Sequence, residues 1–63
     1  MKTERMFRSW LRRNGMSQRE LAGKLGITEG ALSKIINGSR RPSWRLALKI
    51  ARLMDIHLES LFE

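Results

Sequence analysis

Met16-Ser17-Gln18-Arg19-Glu20-Leu21-Ala22-Gly23-Lys24-Leu25-Gly26-Ile27-Thr28-Glu29-Gly30-Ala31-Leu32-Ser33-Lys34-Ile35-Ile36-Asn37-Gly38 contains two short helices and the joint between them. Ser17 and Glu20 stand three apart, the spacing of a capping box, in which a hydroxyl accepts from the third amide and the carboxylate reaches back. Met16 and Leu21 flank this start as a hydrophobic staple. The spacing predicts a helix over residues 18–25 that carries Leu21, Ala22 and Leu25 inward and stops at Gly26. Thr28 is an N-cap with Ile27 and Leu32 as its staple, so a second helix runs from residue 29 to Ile36 and ends at Asn37-Gly38.

At ~100° per residue, Glu29, Gly30, Ser33, Lys34 and Asn37 of the second helix fall within about 140° of arc. Ala31, Leu32, Ile35 and Ile36 take the opposite side. A three-residue joint with glycine makes the two helices cross steeply, and Ala22 is small where the second must pass close. The polar arc is then held outward. This is a helix-turn-helix arrangement, which places the start of its second helix in a DNA major groove.

Outward from this unit the chain continues as helices. Phe7, Trp10 and Leu11, with Met6 beside them, give an apolar stripe over about residues 3–13, ended by Asn14-Gly15. Ser39-Arg40-Arg41-Pro42 is a basic loop through which no helix can continue. Ser43 caps a fourth helix, Trp44 to Met54, whose polar stripe is only Arg45, Lys49 and Arg52. So broad an apolar face belongs to a central helix, or to one with surface left for a partner. Asp55-Ile56 turns the chain into a last short helix over about residues 57–62. The fold class is all-α, with five helices in one domain, residues 1–63.

A chain of 63 residues allows one small domain and little room for an enclosed substrate pocket. It carries 13 Lys and Arg against 6 Asp and Glu, a formal charge of +7. Every base precedes residue 54, whereas Asp55, Glu59 and Glu63 leave the last ten residues acidic. A basic body with an acidic end points to a polyanionic partner, against the alternative of a general solubilising charge. With no cysteine, disulfides and thiolate metal sites are excluded. No apolar run has the ~20 residues of a membrane span. The expected location is the cytoplasm. No Ser/His/Asp grouping, phosphate loop or paired carboxylates appear, so neither enzyme activity nor a cofactor is expected.

The residues quoted above, with Arg41-Pro42-Ser43, Ile50-Ala51 and Leu58-Glu59-Ser60-Leu61-Phe62, resemble the Cro/cI-repressor type of helix-turn-helix regulators. The resemblance covers nearly the whole chain. It implies a five-helix domain that binds operator DNA, usually as a homodimer, and regulates transcription. It places Thr28, Glu29, Gly30, Ser33 and Lys34 at positions from which relatives touch base edges. Gln18 matches a residue that contacts a phosphate and orients the reading helix. Asn37, Arg40 and Arg41 resemble phosphate contacts of the following loop, with Ser43 and Arg45 opening the next helix near the same strand.

Lys34 can donate to guanine or pair with a phosphate. Glu29 can accept from cytosine, or simply suit the positive end of its helix. Gly30 has nothing to read with, but leaves room for close backbone approach. Many relatives pair an arginine at the place of Leu11 with a glutamate at the place of Ile36. Here both are apolar, and the joint change predicts that the two side chains pack together. Asp55 replaces a common glycine, so the helix end there is expected to take another shape. Trp10 belongs to the core, while Trp44 is open between packing and backbone contact. The methionines are core fillers and His57 a cap.

Leu53, Leu58 and Phe62 are candidate dimer contacts, set against a role for Leu58 and Phe62 in closing the core. Three other functions compete. An antitoxin would bind DNA and a toxin partner, but no extra arm is evident for the toxin. A membrane-active peptide would prefer one long helix to these repeated stops. An RNA target fits poorly, because the A-form major groove is deep and narrow.

Overall fold

The computed structural model describes residues 2–62. Its elements are α1 (Lys2–Arg13), α2 (Gln18–Leu25), α3 (Glu29–Ile36), α4 (Trp44–Met54) and a single 3-10 turn, Leu58–Leu61. The inward stripe of α1 is Thr3, Phe7 and Trp10, at i, i+4 and i+7. Its charged side carries Glu4 and Arg8, paired at 2.9 Å, and the Arg8 hydrogen bond holds the Glu4 carboxyl below its ordinary range.

Three helices start as their caps predict. The Ser17 hydroxyl accepts from the Glu20 amide at 3.1 Å, and the Ser17 amide donates to the Glu20 carboxylate at 3.0 Å. The Thr28 hydroxyl accepts from the Ala31 amide and the Ser43 hydroxyl from the Leu46 amide. The backbone amide of Ser17, followed by its side chain, holds the Glu20 carboxyl below the ordinary 4.5. A lowered folded-state pKa gives stability that is present above the unfolded value and lost as pH falls through the folded one. Thermal midpoints are therefore expected to drop as pH falls below the ordinary 4.5 and through the lowered folded-state value, and less so in Glu20→Gln, in melts followed by circular dichroism.

α1 and α2 end by the same device. After α1, Gly15 is left-handed (φ 57°), and the Met16 and Gly15 amides donate to the Leu11 and Arg12 carbonyls. After α2, Gly26 repeats it (φ 73°), with Ile27 and Gly26 donating to Ala22 and Gly23. This doubly bonded left-handed stop takes up carbonyls that the helix itself leaves open. Contrary to the sequence expectation, α4 also ends on a left-handed residue, with its two closing amides on one carbonyl. Asp55 adopts φ 55° and ψ 51°, and the Ile56 amide donates to the Ala51 carbonyl. Docking of Ile56 on the core favours the turn despite the β-carbon at residue 55.

A second correction concerns the chain end. The expected fifth helix is one 3-10 turn, and His57, which precedes it, makes no side-chain capping bond. Residues i and i+3 eclipse in this geometry, so Leu58 and Leu61 both reach the core within four residues.

One apolar cluster joins all these elements. Phe7, Leu21, Leu32 and Ile50 are fully buried at its centre. Leu11 packs against the cluster to which Ile36 belongs, and Met6, Met16 and Met54 contribute to it as well. Met1 lies outside the described residues. Leu58 and Phe62 pack on the cluster while remaining partly open. Of all element pairs, α2 and α3 pack together most extensively. The result measures 24 × 21 × 20 Å.

Candidate nucleic-acid interface

The inward side of α3 is fixed by Leu32, Ile35 and Ile36, none of them more than 4% exposed. Its other side therefore faces solvent. Thr28, Glu29, Gly30, Lys34 and Asn37 are exposed and Ser33 is half-buried. A β-carbon added at Gly30 would meet nothing within 4 Å, so this part of the helix is bare to an approaching surface. No hydrogen bond or ion pair among the described residues engages the Glu29 or Lys34 side chains.

Capping leaves donors in place. The Thr28 and Ser43 hydroxyl oxygens accept backbone amides, so each O–H proton is left for an external acceptor. The Asn37 side-chain oxygen accepts from the amide and hydroxyl of Ser39, at 2.9 and 2.6 Å, which leaves its NH2 group outward. Such donors suit phosphate oxygens.

Beyond α3 the chain is anchored at Pro42, which is buried. Pro42 lines a cleft with Thr3, Ile35, Leu61 and Phe62, while Arg40 and Arg41 on its rim are exposed. Ser43 and Arg45 continue this basic surface onto α4, and both are exposed. Gln18, half-buried, stands at the start of α2, beside the capping box. The two tryptophans separate: Trp10 is core, whereas Trp44 is 63% exposed next to the basic loop. Leu53 is exposed on α4.

One contact had no signal in local spacing. The Lys49 ammonium donates to the Leu25 carbonyl at 3.4 Å, from α4 to the last residue of α2. Residues 24 apart share no periodicity, so the sequence reveals Lys49 only as part of a polar stripe.

Comparison with known proteins agrees with this geometry. The helix-turn-helix family model matches residues 7–61, and the chain belongs to this family, of the Cro/cI-repressor type. It is 44% identical over 48 residues to an uncharacterised HTH-type transcriptional regulator of Archaeoglobus fulgidus, covering 76% of this chain and 69% of that protein. It is 35% identical over 49 residues to an uncharacterised HTH-type transcriptional regulator of Methanocaldococcus jannaschii, covering 78% and 74%. No solved structure matches the chain significantly. Family and relatives point to a DNA-binding regulator. Among the described residues, no helix is long and apolar enough to cross a membrane, and no cluster of ligating side chains could hold a metal ion.

Proposed function

We propose that this protein is a sequence-specific, double-stranded-DNA-binding repressor that acts in the cytoplasm without a cofactor or enzymatic activity. Each subunit is a single helix-turn-helix domain reading one operator half-site. The observation that carries this reading is the exposed side of α3, with unengaged Glu29 and Lys34 side chains, on a helix whose opposite side is locked into the core. Thr28, Glu29, Gly30, Ser33 and Lys34 read base edges in the major groove. Gln18, Asn37, Arg40, Arg41, Ser43 and Arg45 hold phosphates. A homodimer, joined through Leu53 with the open parts of Leu58 and Phe62, sets two half-sites about 34 Å apart.

Selection of bound fragments from random duplex DNA supplies the preferred sequence, and sizing of the complex counts subunits. On that duplex and on a scrambled one, Lys34→Ala and Arg40→Ala should behave differently. Lys34→Ala is expected to reduce discrimination at one base pair by about 1–3 kcal/mol. Arg40→Ala is expected to weaken both duplexes alike and to lower the salt slope by roughly 0.9. Unchanged binding in both variants would place the interface elsewhere.

A further inference from the structure

We propose that Lys49 is a positioning residue for DNA reading: from α4 it fixes the orientation of the α2–turn–α3 unit without touching the nucleic acid. This deepens the reading above and rests on it. The turn at Gly26 satisfies the Ala22 and Gly23 carbonyls through the Gly26 and Ile27 amides. The Leu25 carbonyl, at the negative end of the same helix, receives the Lys49 ammonium instead. A cation donor suits that place on both counts, hydrogen bonding and dipole.

What distinguishes this contact is its reach. The side-chain hydrogen bonds of the helix caps, of the Arg8–Glu4 pair and of the Asn37 turn join positions no more than four apart. Lys49 to Leu25 instead spans 24 residues and ties α4 to α2. The remaining hold between α2 and α4 is hydrocarbon, which is non-directional and tolerates small rotations. A directional bond one residue before the turn limits such rotation. α3 begins only four residues after Leu25, so tilt at the end of α2 passes directly to the reading helix. Base readout depends on that tilt more than backbone attraction does.

The test uses the full chain, with the selected duplex and its scrambled counterpart as probes, at a temperature where circular dichroism shows each variant folded. Lys49→Met keeps the stem and removes the donor, while Lys49→Arg keeps a charged donor. Lys49→Met is expected to lose about tenfold in affinity for the selected duplex. Its affinity for the scrambled duplex and its salt slope should stay as in the parent chain. Lys49→Arg should recover most of the loss. Equal weakening of both duplexes with a slope lower by roughly 0.9 would make Lys49 a phosphate ligand and overturn the proposal. An unchanged Lys49→Met, or an Arg variant as weak as Met, would overturn it too. Lack of preference in the parent chain itself would be a failure of the underlying reading and is visible before any variant is made. Should Lys49→Met not fold, the Leu25 carbonyl 13C resonance in Lys49→Arg against Lys49→Gln decides: only loss of the charged donor should shift it.

Discussion

Leu32→Ala is expected to lower the thermal midpoint by roughly 20 °C and to lose DNA binding at temperatures above that lowered midpoint. Leu32 has no exposed surface and lies at the centre of the cluster, on the helix that carries the reading side chains. Removing a buried leucine side chain costs about 2–5 kcal/mol in transfer and cavity terms. A domain of this size has roughly 3–9 kcal/mol in total, so a single cavity can consume most of it. Lys34, two residues further on, is exposed. Its replacement by alanine should change stability by less than about 0.5 kcal/mol. Melts of the two variants, followed by circular dichroism, therefore separate scaffold from reading surface on one helix. Comparable midpoints would mean that α3 is not locked by its inward side.

That separation was visible in the sequence because caps and periodicity are local. Ser17 with Glu20, Thr28 and Ser43 each supply a hydroxyl at the right distance from an apolar run, and three helix starts follow. The outward arc of α3 is equally legible, since four apolar residues define the side that must be buried. Asp55 misled because its left-handed backbone is favoured by a neighbour: Ile56 docks on the core and its amide closes the turn. The closing 3-10 turn misled because Leu58 and Leu61 suit either helix type at that length, and only packing decides. Lys49 was hidden for a different reason. Its partner is a backbone carbonyl, which every residue has, so no side-chain pattern marks it. The candidate dimer residues lie between these cases. Leu58 and Phe62 serve the core and remain partly open, and Leu53 is exposed, but how two copies dock depends on the folded surface as a whole, which local spacing does not encode.

The largest effect on binding alone is expected from neutralising the basic loop. Arg40→Gln, Arg41→Gln and Arg45→Gln together remove three exposed cations close in sequence to α3 and replace no buried residue. The local fold should persist, because Pro42 stays buried and Asn37 still holds Ser39. Each arginine that neutralises a phosphate releases a counterion, so the triple variant should lower the salt slope by roughly 2.7 per bound subunit. Charge-assisted hydrogen bonds contribute about 1.5–3 kcal/mol each before repacking of solvent and ions, and a loss of about a hundredfold or more in affinity follows. Preference between the selected and scrambled duplexes should survive, since phosphate contacts hold register without reporting sequence. Filter-binding or anisotropy titrations at several salt concentrations give slope and preference together. A slope reduced by less than about 1 would mean that these arginines do not face the duplex. The basic surface beside α3 would then be a solvated face, and the bound duplex would have to be anchored from the α2 side, through Gln18 and the helix start that it occupies.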